Sequence, residues 1–212
     1  MKIYKICLVL LAVSMHSIFA ADVNDIIKNI QKTYDKMDNL SAVFSQVETF
    51  RLTGSQNETI GRIYIKDGEK YRFESEDQVI VTDGKTVWTY NAISKQLLID
   101  RVRKNSGALL PRDMLFKYPK THLAALINEE KLNGYTYYTV RLDPKEGVRG
   151  FIKNLKIRVK KKNWLVDEIE TTDQNGNTSI FKITEIDTKK NLDDKLFKYQ
   201  PHEGAQIVDM RK

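Results

Sequence analysis

Between Gln78 and Asp100 the chain carries large apolar residues at positions of both parities. Val79, Val81, Trp88, Tyr90, Leu97 and Ile99 interleave with Ile80, Val87 and Leu98. A sheet with one wet face alternates cleanly between apolar and polar, so these three strands are predicted to be covered on both faces. Asp83-Gly84 between the first two is a hairpin-turn signal. Upstream, Ile26, Ile27, Ile30, Tyr34 and Met37 recur at three- and four-residue spacing. This predicts an amphipathic helix, capped by Asp22 or Asn24 and ended by Asp38-Asn39. From Leu40 the period becomes two. Leu40, Ala42, Phe44 and Gln46 share one face opposite Val43 and Val47, Ile63 and Ile65 lie opposite Tyr64, and Tyr71 and Phe73 lie opposite Lys70, Arg72 and Glu74.

From Arg103 to Gly134 the strand pattern stops. The stretch reads as short helices broken by Pro111 and Pro119, with an apolar load that includes Leu109, Leu110, Met114, Leu115, Phe116, Leu123, Ala125 and Leu126. Strands resume from Tyr135 and run, with a turn at Asn175-Gly176, to Asp187. Asp193–Tyr199 reads as one helical turn and Ala205–Met210 as a short closing strand. About ten or eleven antiparallel strands in a single run must curl or close rather than lie flat. The mid-chain helices are the predicted cover for the concave face, including the second apolar face of Gln78–Asp100. Pattern alone leaves open whether a face covered in this way is solid core or cavity wall.

The first twenty residues are set apart from this domain. Lys2 and Lys5 precede an apolar run that ends in Ala20-Ala21, as in a secretory signal cleaved near Ala20. The run is short of the ~20 residues of a membrane span. The expected organisation is therefore a signal peptide over 1–20 and one domain over 21–212, exported and held together without disulfides, because the sole cysteine is Cys7. Loss of Lys2 and Lys5 lowers the formal net charge from +7 to +5. The densest basic stretch, Lys156–Trp164, alternates Ile157 and Val159 with Arg158 and Lys160. It reads as a solvated strand face rather than a nucleic-acid site, with weak attraction to an anionic membrane surface or an acidic partner as the alternative.

Recognisable catalytic chemistry is missing. His122 and His202 have no neighbours at metal-ligand spacing, and no nucleophile elbow, zinc-protease motif or phosphate loop occurs. The acidic pairs Glu129-Glu130 and Asp193-Asp194 read as solvated surface. Carboxylates from separate strands would leave no local motif, so a hydrolase is the third-ranked reading.

Several features in order carry a family resemblance: the signal-like segment, the amphipathic helix, the Leu40-x-Ala42-x-Phe44-x-Gln46 strand, "GRIYIK" running into "EKYRFE", and "QVIVTDGKTVWTYN". Together they resemble the LolA family, periplasmic carriers of outer-membrane lipoproteins. The resemblance implies a mainly β fold with some α: an unclosed antiparallel half-barrel of about eleven strands under a short-helix lid. It further implies a monomeric periplasmic chaperone without enzymatic activity or cofactor. Such a carrier takes triacylated lipoproteins from an inner-membrane lipoprotein-releasing ABC transporter to an outer-membrane acceptor. The runner-up is a related periplasmic lipid-binding or sensor module with a different lipid. The implied lipid-contacting residues are Phe44, Ile63, Ile65, Tyr71 and Phe73 on the sheet and Leu109, Leu110, Met114 and Leu115 on the lid. One departure stands out. Where familiar members carry Arg-Pro after the "IYIK" strand, this chain has Asp67-Gly68, and Lys66 or Arg72 is the candidate replacement for the arginine.

Overall fold

The computed structural model describes residues 21–102, 118–148 and 150–211. Helix α1 (Val23–Asp35) comes first. It is followed by β1 (Asn39–Thr49), β2 (Gln56–Lys66), β3 (Lys70–Ser75), β4 (Gln78–Thr82), β5 (Thr86–Asn91) and β6 (Gln96–Arg101). A single helical turn, α2 (Tyr118–Thr121), leads into β7 (His122–Leu132), β8 (Tyr135–Pro144), β9 (Ile152–Lys160), β10 (Leu165–Asp173) and β11 (Thr178–Asp187). A 3-10 turn (Asp194–Phe197) and β12 (Gln206–Asp209) close the described chain.

All twelve strands form one sheet in the order β12-β6-β5-β4-β3-β2-β1-β11-β10-β9-β8-β7. Neighbours are antiparallel except β12, which runs parallel to β6. The two edge strands, β12 and β7, do not pair with each other, so the sheet is unclosed. Twelve strands exceed the expected eleven because His122–Leu132 is a strand and not a helix. Leu123 and Leu126, three apart as on a helix, fall on opposite faces of the strand, and a bulge between Leu126 and Asn128 further interrupts the alternation. Ten residue pairs with β8 then outweigh the helix propensity of its Ala, Leu and Glu residues.

Helix α1 defines the inner face of the sheet. The Asp22 carboxylate accepts from the Asn24 N–H at 2.8 Å and starts the helix. Ile26 and Ile30, 1% and 3% exposed, pack on Val140, Leu142, Leu155 and Ile157 of β8 and β9. At the far end of the helix, the Tyr34 hydroxyl accepts from the Val166 N–H at 3.2 Å. Burial pushes the Tyr34 phenol up to about 12. The void left beneath the helix, between Ile27, Ile30, Pro119, Val140, Leu142 and Ile157, is about 10 Å³. This half of the inner face is solid core.

The doubly apolar strands have a cover on their outer face that the pattern did not point to. On the outer face of β4–β6, Val81, Leu97 and Ile99 are buried together with Tyr199, and Val79, Trp88 and Tyr90 pack against them. Tyr90 stacks on Tyr199 at 5.7 Å between ring centroids. The cover on this side is the C-terminal segment; residues 103–117, expected over the concave face, lie outside the described residues. Leu192 and Phe197, at 1% and 0% exposure, anchor that segment. Isolated apolar residues in an irregular segment have no periodicity, so the pattern could not point to them.

Candidate functional site

The register places the five expected sheet residues on one face. Ala42 pairs with Ile63 and Leu40 with Ile65 across β1–β2, while Ile63 pairs with Phe73 and Ile65 with Tyr71 across β2–β3. Side chains directly opposite each other lie on the same face, and Phe44 of β1 has the parity of Ala42 and Leu40. The same face continues through Ile80, which pairs with Phe73, and on through Thr89 to Leu98. In the other direction it runs from Phe44 to Ile183 and the neighbouring Phe181 side chain, and from there into the core under α1. It is therefore the inner face.

Burial divides the five. Phe44 and Tyr71 are 3% and 7% exposed and belong to the packed layer, whereas Ile63, Ile65 and Phe73 are half-buried. Ile80, Val87 and Leu98 are half-buried too and extend the apolar wall beyond what the motif-bearing strands suggested. The Asp83-Gly84 turn was the available signal for them, since it fixes which side chains of β4 and β5 share a face. Leu109, Leu110, Met114 and Leu115, the expected lid contacts, lie outside the described residues.

An aromatic seam joins the wall to the core. The Phe44 ring stacks on Phe73 at 4.8 Å with 22° between planes and meets Phe181 at 6.0 Å, tilted by 54°. Gly61, paired with Phe44, makes room for it. A Cβ at that position would fall 2.5 Å from the Phe44 ring and 2.2 Å from the Glu74 carbonyl oxygen. Toward the β1–β2 hairpin the face turns polar. The Gln46 side chain donates to Ser179 Oγ at 2.8 Å. The wall is apolar along β2–β6 and ends in hydrogen-bonding groups.

At the position of the departure, Asp67 and Gly68 both have positive φ, 53° and 69°. Proline, with φ fixed near −65°, does not fit there. Lys66 and Arg72 both have partners on the outer face. Lys66 Nζ donates to the Leu192 carbonyl at 2.8 Å and pairs with Asp194 at 2.9 Å. Arg72 donates to the Leu196 carbonyl at 3.2 Å and pairs with Glu74. Lys70 bridges Asp67 and Asp194 at 3.3 and 3.1 Å. Hydrogen bonds from Lys66 and Lys70 hold the Asp194 carboxyl below the usual carboxylate range. Asp193 caps the 3-10 turn by accepting from the Lys195 N–H at 2.9 Å. The Asp193-Asp194 pair is exposed, as expected, and Asp194 also ties the C-terminal cover to the β2–β3 turn.

Among the described residues no group of three or more His, Cys, Asp or Glu side chains could hold a metal ion. What the geometry offers is apolar area on an unclosed sheet.

The family model for the outer membrane lipoprotein carrier protein LolA matches residues 35–200. The chain belongs to this family. An outer-membrane lipoprotein carrier protein of Haemophilus influenzae is 28% identical over 191 residues, covering 89% of each chain. One from Shewanella amazonensis is 24% identical over 210 residues, covering 95% of each. Among solved structures, an uncharacterized conserved protein from Thermus thermophilus superposes with a TM-score of 0.58 at 16% identity, over 88% of this chain and 98% of that one. MucB superposes with a TM-score of 0.52 at 16% identity, over 90% of this chain and 66% of its own. These two likenesses show the fold. As a member of the LolA family the chain is a carrier and not an enzyme.

Proposed function

We propose that this carrier holds the acyl chains of lipoproteins against the inner-face wall of Ile63, Ile65, Phe73, Ile80 and Leu98. Phe44 and Tyr71 back the wall, and Leu109, Leu110, Met114 and Leu115 close over it. The observation that carries this reading is the split of the inner face: solid core under α1, but half-buried apolar side chains along β2–β6. We further propose that residues 1–20 direct export and are removed, and that the domain works as a monomer in the periplasm. It would receive triacylated lipoproteins from an inner-membrane ABC transporter and pass them to an outer-membrane acceptor. The lipoprotein-carrier names of the relatives support the cargo.

The energetics suit transfer. Burying a methylene is worth about 0.8 kcal/mol, so three acyl chains of about fifteen methylenes each represent on the order of 36 kcal/mol relative to water. Free diffusion is closed to such a cargo. A membrane offers the same gain per methylene, so only the difference between carrier and membrane sets the direction of transfer. A wall that covers the chains incompletely favours release.

Phe73→Glu tests the assignment. A half-buried position that meets solvent in the empty state tolerates a carboxylate, whereas a dry core charges several kcal/mol for it. Calorimetry should find the variant folded with modest loss of stability. Displacement of an environment-sensitive lipid by a triacylated lipopeptide should be weakened at least tenfold. Unfolding of the variant, or intact lipopeptide binding, would remove Phe73 from the site.

A further inference from the structure

The basic stretch read as a solvated strand face divides into two parts with different surroundings. On the outer face, Lys156 pairs with Glu170 at 2.8 Å, and Arg158 pairs with both Glu130 and Asp167 at 2.8 Å. That part is a cross-strand charge ladder, as expected of a wet sheet face. The ladder stops at Lys160. Among the described residues, Lys160, Lys161 and Lys162 have no ion-pair partner. Their nearest neighbours are tyrosines, with Glu129 acting on Lys161 and Asp167 on Lys160 from farther off. Lys160 Nζ lies 3.6 Å from the ring centroid of Tyr135, Lys162 Nζ 5.3 Å from the same ring, and Lys161 Nζ 5.6 Å from that of Tyr138.

These groups sit at one end of the sheet, where two hairpins turn side by side. The Lys161 N–H donates to the Thr136 carbonyl at 2.9 Å, which closes the β8–β9 ladder at this end. Leu132, paired with Tyr135 across the neighbouring hairpin, is 47% exposed. Three lysines in no direct ion pair among the described residues, a half-buried tyrosine face and an exposed leucine therefore share one projecting edge. Lysine with an apolar stem and tyrosine with a polar tip are the side chains that sit comfortably where hydrocarbon meets headgroups. An acidic protein surface would satisfy the ammonium groups but leave Leu132 without a partner.

We infer that this edge, Leu132, Tyr135 and Lys160–Lys162, is a docking surface for an anionic phospholipid bilayer. The lysines supply attraction to the headgroups, about fivefold in partitioning for each, and Tyr135 with Leu132 supplies a shallow apolar contact. Docking of this kind is weak and falls with salt, which suits a protein that visits a membrane without staying. The inference goes beyond the carrier reading and does not depend on where the cargo binds.

The test is co-sedimentation of the purified protein with vesicles of equal parts phosphatidylglycerol and phosphatidylcholine, and with vesicles of phosphatidylcholine alone. The second set reports binding that does not depend on lipid charge. Wild type should prefer the anionic vesicles and lose that preference with added salt. Lys160→Gln/Lys161→Gln/Lys162→Gln should lower anionic partitioning on the order of a hundredfold. Lys85→Gln/Lys95→Gln/Lys189→Gln, with the same charge loss elsewhere, should change it little. Tyr135→Ala should weaken binding at unchanged charge. Lipopeptide binding should be equal in all of these, so the docking surface and the cargo site fail independently. Equal partitioning of the two triple variants would overturn the inference, as would equal binding to both vesicle types. Capture of polyglutamate without binding to vesicles would assign the edge to an acidic protein surface and overturn it as well.

Discussion

Gly61 shows how much one missing methyl group decides. Its Cα faces Phe44 across β1–β2, and any Cβ would collide with both that ring and the backbone of β3. Overpacking of a well-packed site costs typically 1–3 kcal/mol, and backbone yields less readily than a side chain. Gly61→Ala should therefore lose about 3 kcal/mol in urea unfolding. Phe44→Leu in the same chain should restore only part of this, because the contact with the Glu74 carbonyl remains. Full rescue would show that the ring alone sets the constraint. His122 makes a second residue-scale case. It is 6% exposed, with its ring tilted by 36° against Tyr118 at 4.6 Å and Nδ1 2.9 Å from Thr121 Oγ1. Burial holds its pKa below the ordinary value. The unfolded chain takes up a proton near pH 6.5 while the folded chain does not. Stability must then fall as pH drops from about 6.5 toward the folded pKa, and level off below it. The difference in stability between wild type and His122→Gln, followed by urea unfolding from pH 8 to pH 5, should move in that direction. A pH-independent difference would mean that the imidazole titrates normally in the fold.

At the scale of elements, legibility followed local signals. The strands bearing Phe44, Ile63 and Phe73 were readable because alternation and turn residues agree there, and the same agreement fixed their shared face. β7 was not readable, since its apolar residues fall on both faces and a bulge breaks what alternation it has. The outer cover was not readable either. Leu192 and Tyr199 lie in irregular chain and Phe197 in a single 3-10 turn, and their packing on the sheet is a long-range choice that no local pattern encodes. Ile80 and Leu98 joined the wall only once the register of β4–β6 was known. The cover should be as important to stability as a core strand. Leu192→Ala is expected to cost about 3 kcal/mol, in the range for a buried leucine. A loss below about 1 kcal/mol would mean the C-terminal segment peels away without consequence for the sheet. The β2–β3 turn belongs to the same unit. With Gly68 at φ 69°, Gly68→Pro cannot keep the turn, and the Lys70 contact to Asp194 should be lost with it.

For the molecule as a whole, the sheet has two apolar faces put to different uses. The outer one is sealed by the chain's own C-terminal segment, and the inner one is half core under α1 and half a wall of half-buried apolar side chains. The central claim is that acyl chains lie on that inner wall. A triacylated lipopeptide carrying a diazirine at an acyl terminus reports this most directly, by photo-crosslinking followed by mass-spectrometric mapping. The account predicts crosslinks at Ile63, Ile65, Phe73, Ile80 and Leu98 and within residues 109–115. Crosslinks concentrated instead on Trp88, Tyr90 and Tyr199 would put the cargo on the outer face and contradict it.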